Sequence, residues 1–385
     1  MMEPLRFAVG IEDTFVPRLD EYELTQHYRF WREDLDLAAE TGATMIRWGI
    51  PWYRVEPAPG VFDWAWLDQV VSHMDGLGLE CVVDLMHYGT PRWLSFLDDE
   101  YPTRVAAYAA AVASRYRDRW RRWTPLNEPV INAIYCGETG VWPPHRTGQE
   151  GFTALAVALA EGICRTQRAI AEVQPEATFV HVDAGFRYAG DEFPLPLPEL
   201  LERRFAVLDL VTGSAAPHAW LRSHGAPAAR LEWFAENAVQ PDIVGVNYYP
   251  AFTTISYADG VAQPVEAGTD GLEDLLRTYH QRYGRPLFVT ETSRNGTVDE
   301  RLAWLRDSVA LIHRLRAEGM PVVGYTWWPL FALFDWLCRD SDEPLDRWLL
   351  QMGLADLERD AEGVLRRVRT PLVEAFREAA EAAGR

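Results

Sequence analysis

Residues 67–85 read LDQVVSHMDGLGLECVVDL. Leu67, Val70, Val71, Met74 and Leu77 recur at steps of three and four, the spacing that lines one face of a helix. Gly78 follows as a C-terminal stop. The run Cys81-Val82-Val83-Asp84-Leu85 then has no polar alternation, as in a strand of a parallel sheet with both faces covered. A helix feeding such a strand is half of a βα repeat, and the alternation recurs on both sides of it. Strand-like runs are expected at Phe7–Val9, Met45–Arg47, Cys81–Leu85, a fourth ending at Asn127 and Glu128, then Phe179–Val182, Ile243–Asn247, Leu287–Glu291 and Val322–Trp327. Helices between them carry Trp31, Leu35 and Ala38 ahead of Gly42, then Val105–Tyr116, then about Thr153 to Val173. Eight strands alternating with helices define the fold class as α/β, a (β/α)8 barrel, with residues 1–385 forming a single catalytic domain.

Composition narrows the partners. The formal charge of −20 disfavours nucleic acids and anionic membrane surfaces, which clustered cations hold. The most apolar run, Phe152 to Ala160, is too short to span a bilayer. The opening residues lack a basic segment followed by an apolar run, so a cytoplasmic protein is expected. Cys81, Cys136, Cys164 and Cys338 are too scattered for a Cys-x-x-Cys site, and the nine histidines show no metal-ligand spacing, so neither metal nor cofactor is expected. A homo-oligomer is left open.

Two glutamates stand at strand ends, Glu128 in Trp123-Thr124-Pro125-Leu126-Asn127-Glu128-Pro129 and Glu291 in Val289-Thr290-Glu291-Thr292, and they point to a small-molecule glycoside as the expected partner. Roughly 160 residues separate them, about three βα units, which a barrel would bring to one rim. Two facing carboxyls suit glycosidic bond cleavage, in which one protonates the leaving oxygen and the other attacks the anomeric carbon. The two must differ in protonation. Arg47, inward at the end of the second strand, is expected to hold Glu291 ionised, and Tyr249 to donate to the same carboxylate, which makes Glu291 the nucleophile and Glu128 the acid/base. Asn127, beside the acid, can bond a sugar hydroxyl. His87 offers two ring nitrogens, while Trp328 and Trp336 are expected as platforms for pyranose faces. The ends of the first and sixth strands add Glu12 and Asn247. Trp31, Trp66 and Trp304 are read as core.

At these residues the chain resembles the family 1 glycoside hydrolases, retaining β-glycosidases on a (β/α)8 barrel. The Asn127-Glu128-Pro129 and Thr290-Glu291 segments look like that family's acid/base and nucleophile motifs. Residues 85–94 resemble its His-Trp-Asp-Leu-Pro segment, residues 244–249 its sixth strand, and Trp328 through Trp336 the stretch ending in Phe-Glu-Trp. The resemblance implies His87, Tyr88, Asn127, Asn247, Tyr249, Trp328, Asp335 and Trp336 as the glycone subsite. Asp335 stands where the family usually has Glu, Tyr88 where it has Trp, and Glu12 or Asp13 where a glutamine is expected. The resemblance also implies a cis bond at Trp328-Pro329, which proline makes cheap. The activity implied is a retaining exo-β-glycosidase of β-glucosidase, β-galactosidase or β-fucosidase type. The alternatives are a transglycosidase or a hydrolase of a modified sugar, and, from another class, a silent sugar-binding barrel.

Overall fold

The computed structural model describes residues 3–383. Eight parallel strands close into one barrel: β1 (Arg6–Gly10), β2 (Met45–Gly49), β3 (Glu80–Asp84), β4 (Arg122–Thr124), β5 (Thr178–Ala184), β6 (Ile243–Asn247), β7 (Leu287–Thr292) and β8 (Val322–Trp327). Each strand pairs with its neighbours in sequence, and β1 joins β8 on one side and β2 on the other, with Ala8 opposite both Thr326 and Met45. Seven longer helices surround it: α1 (His27–Glu40), α2 (Ala65–Leu77), α3 (Tyr101–Arg115), α4 (Gly148–Val173), α5 (Gly268–Tyr283), α6 (Val298–Ala317) and α7 (Pro371–Ala383). Helix α2 buries Leu67, Val70, Val71 and Met74 and ends where Gly78 turns left-handed, φ 70°. No described helix is long and apolar enough to cross a membrane.

Apolar packing forms two layers. Ala8, Met45, Val82, Val180, Val182, Ile243 and Phe288 form a small separate cluster, while a much larger one lies between strands and helices. Side chains two positions along a strand share a face. The face of Met45 therefore passes to Arg47, that of Val82 to Asp84, that of Ile243 to Asn247, and that of Phe288 to Thr290. The apolar floor gives way to a polar layer at the carboxyl ends of the strands, the end where barrel enzymes bind ligands.

Two segments depart from the simple pattern. Strand β4 stops at Thr124, three residues long, so Asn127 and Glu128 do not end a strand as expected. They lie in the connection beyond it, held by backbone bonds from Asn127 N to Met86 O (3.0 Å) and from Glu128 N to Val182 O (3.1 Å). Pro125 explains the early stop, because it has no N–H to continue the ladder. Beyond β6, Thr254–Ala258 and Val261–Val265 form a hairpin, which adds Arg187–Tyr188 as a third strand.

Candidate active site

The strand ends open into a cavity of about 330 Å³ lined by Glu12, His87, Tyr88, Glu128, Asn247, Tyr249, Glu291, Asp335 and Trp336 on its polar side. Ile131, Tyr135, Phe186, Phe252, Leu333, Leu350 and Met352 form an apolar wall. Both glutamates face this space and both are almost fully buried.

Backbone irregularity aims each of them. In β7 the pairing with β6 shifts register between Val289 and Glu291, a bulge that turns the carboxylate toward the cavity although Thr290 already faces the barrel interior. Glu128 has φ 42°, a left-handed conformation uncommon for a non-glycine residue. Pro129 starts a short helix immediately afterwards, and the Glu128 side chain does not cap it. The carboxyl is left free for the cavity.

Glu291 Oε1 accepts from Arg47 Nη1, and its Oε2 accepts from Tyr249 Oη at 2.6 Å. Tyr88 Oη donates to Glu128 Oε2, and Asn247 Nδ2 donates to Glu128 Oε1 at 2.8 Å. Thr290 Oγ1 donates to Asn247 Oδ1 at 2.7 Å, which fixes the amide so that its NH2 meets the acid. Tyr88 thus has a second task beside lining the cavity.

One electrostatic expectation is corrected. Arg47 was expected to hold Glu291 below the usual carboxylate range. Instead, burial pushes Glu291 up to about 8; Arg47 opposes this and the Glu128 charge adds to it. Burial raises Glu128 as well, against the bonds from Tyr88 and Asn247. Two buried carboxyls on one cavity, both raised by burial, titrate as a pair and share a proton.

Trp328 is placed differently from a sugar platform. It is fully buried, its Nε1 donates to Glu12 Oε2 at 2.9 Å, and its ring lies parallel to His87 with centroids 5.6 Å apart. It supports the cavity from behind. The bond to Pro329 is cis, as expected. Asn127 is also behind the wall, bonded to Arg47 and His87. Trp336 and Asp335 do reach the cavity, although Asp335 spends one oxygen accepting from Leu337 N at 2.9 Å. Glu12, not Asp13, lines the space, with its oxygens bonded to Thr14 and Trp328. Asp13 turns to His87 Nδ1, and burial pushes its carboxyl up to about 6 against the pull of that ring.

Sequence reasoning missed Asp84 and Thr290 as parts of this site. Asp84 carried a signal, a charge within an apolar strand three residues before His87; Thr290 carried none.

A closed parallel barrel that converges two buried, separately hydrogen-bonded carboxyls on one cavity defines the class of barrel glycoside hydrolases. Residues 21–182 match the profile of Glycosyl hydrolase family 1. The β-glucosidase of Agrobacterium sp. is 26% identical over 356 residues, covering 80% of this chain and 77% of that one. The 6-phospho-beta-glucosidase of Clostridium longisporum is 25% identical over 383 residues, covering 82% and 78%. The family 1 β-glucosidase structure from Thermotoga maritima superposes with a TM-score of 0.82 at 17% identity, covering 100% of this chain and 99% of that one. Over residues 21–182 the chain is therefore similar to glycosyl hydrolase family 1, and the relatives it matches over most of its length include β-glucosidases.

Proposed function

We propose that residues 1–385 act as one catalytic domain, a retaining exo-β-glycosidase that cleaves a small β-linked glycoside by double displacement, with Glu291 as nucleophile and Glu128 as acid/base. The observation that carries the assignment is the difference in donors. Glu291 faces a guanidinium and a phenol, one on each oxygen, so its ionised form is the better satisfied. Glu128 faces an amide and a phenol, and the phenol oxygen can accept a proton's hydrogen bond as readily as donate one. The shared proton therefore belongs on Glu128.

In the first step Glu128 gives that proton to the glycosidic oxygen as the bond from the anomeric carbon breaks, and a Glu291 oxygen bonds to the same carbon. In the second, water attacks that carbon, Glu128 takes a proton from the water, and the bond to Glu291 breaks. Arg47 and Tyr249 steady the Glu291 carboxylate before and after its covalent stage.

The lining also supports a neutral sugar over a phosphorylated one. Its acids are Glu12, Glu128, Glu291 and Asp335, and among the described residues no Lys or Arg lines it, whereas a phosphate calls for cations. His87, Asn247, Trp336 and Asp335 would hold the sugar, and the apolar wall would suit an aryl or alkyl aglycone. A cytoplasmic setting is supported by four cysteines that are all free thiols.

The test is turnover of nitrophenyl β-glycosides with neutral and 6-phospho glycones, with the first-formed anomer followed by proton NMR. The β-anomer should appear first, and appearance of the α-anomer first would exclude retention. Glu128→Gln should lower kcat about 10²- to 10⁴-fold for poor leaving groups and far less for dinitrophenyl glycosides, which need no proton. Glu291→Gln should abolish turnover of both.

A further inference from the structure

We infer that Asp84, on the inner face of β3, is a positioning residue for the reaction, because it closes a ring of hydrogen bonds that orients Arg47, Asn127 and His87 together. The inference rests on the glycosidase reading above.

The ring can be followed atom by atom. Arg47 Nη2 donates to Asn127 Oδ1 at 2.7 Å. Asn127 Nδ2 faces His87 Nε2 at 2.9 Å. His87 Nδ1 meets Asp84 Oδ2 at 3.0 Å. The same Asp84 oxygen accepts from Arg47 Nη2 at 2.5 Å. Every member is buried, Asp84 completely.

Each link constrains the next. Arg47 has no acceptor capacity, so the Asn127 oxygen must turn toward it and the amide NH2 toward His87. His87 Nε2 then keeps a lone pair, which puts the imidazole proton on Nδ1, aimed at Asp84. Burial opposes protonation of the ring, yet Asp13, Glu12 and Asp84 pull its pKa well above 6.5. The fixed amide donor decides against the second proton, because an imidazolium would set two donors face to face.

The Asp84 carboxyl closes this ring through one atom. Its single oxygen accepts from both a guanidinium and an imidazole, and it leaves Arg47 Nη1 directed at Glu291. An amide could offer the same oxygen to both donors but without the charge that strengthens each bond, and its NH2 would fall where Asp84 Oδ1 is buried without a partner. Asp13, Asp84 and His87 gather closely enough for a cation to bridge them, but the guanidinium already supplies positive charge to Asp84. The cluster is read as part of the Arg47 mount.

Asp13 offers an internal control. Its Oδ1 lies 3.0 Å from His87 Nδ1, and none of its bonds reaches Arg47. Removing its charge disturbs His87 and leaves the Arg47 link to Asp84 in place.

The experiment compares wild type, Asp84→Asn, Asp84→Ser and Asp13→Asn by steady-state kinetics on an aryl β-glycoside, thermal melting, and nitrogen-15 NMR of the histidine rings. Asp84→Asn should lower kcat about 10²-fold, as misplacing a catalytic group does, and shift the His87 Nδ1 resonance. Asp13→Asn should shift the His87 resonance and raise KM with kcat within a few-fold of wild type. Asp84→Ser serves if the asparagine variant does not fold, with the same expectation. Unchanged kcat and an unchanged His87 resonance in a folded Asp84 variant overturn the inference, as does loss of kcat that merely tracks a lowered melting temperature. A wild type without glycosidase turnover would sink the functional reading, while the His87 resonance would still report whether the ring exists.

Discussion

Tyr249 illustrates how much a single side chain in this cavity can decide. Its hydroxyl occupies one oxygen of Glu291 while Arg47 occupies the other. Tyr249→Phe removes a bond to a charged group, worth about 1.5–3 kcal/mol. The expected outcome is a fall of about 10- to 100-fold in kcat with a melting temperature close to wild type, measured on the same aryl glycoside. Gly10 matters by lacking a side chain, since a Cβ there would stand 1.9 Å from Trp328 Cε3. Gly10→Ala should therefore displace the indole from Glu12 and cost about 1–3 kcal/mol, as overpacking does. Urea unfolding followed by tryptophan fluorescence checks both effects. Arg47 could be placed from sequence because it closes a strand-like run, and Tyr249 because it lies two residues beyond one. The pKa of Glu291 could not, because burial and a second carboxyl outweigh the one cation visible in the sequence.

Among the elements, those with regular periodicity were legible. The bounds of β6 and β8 match their apolar runs, because parallel strands covered on both faces leave no polar alternation to confuse the reading. Strand β4 was misread because Leu126 extends the segment past Pro125, where the backbone has already left the ladder. The start of α4 at Gly148 was also missed, since its first turn carries polar Gln149 and Glu150. Helix α6 begins with a reciprocal capping box, in which Thr297 accepts from Glu300 N and Glu300 accepts from Thr297 N. Thr297→Ala should cost about 1 kcal/mol of stability with unchanged kcat, since the cap lies on the surface away from the cavity. Chemical denaturation with parallel activity assays would show it.

For the whole molecule, burial of ionisable groups sets a pH limit. Burial pushes Asp183 up to about 8, with the bond from Tyr279 opposing. The unfolded chain ionises this carboxyl from about pH 4, while the folded chain holds the proton until about pH 8, so stability falls as pH rises across that window. Asp183→Asn should equal wild type near pH 4 and exceed it increasingly toward pH 8, by at most about 1.4 kcal/mol per pH unit. Melting curves at several pH values would reveal a constant difference if this account were wrong. The sequence by itself determined the barrel, the two glutamates and most of their neighbours, because periodicity and strand ends are local properties that the chain records directly. Tertiary structure alone decided that both carboxyls would be raised, that Trp328 would stand behind the cavity, and that Asp84 would join Arg47 to His87. Those outcomes depend on dielectric surroundings and on contacts between residues tens to hundreds of positions apart, which close packing brings together and no local pattern encodes.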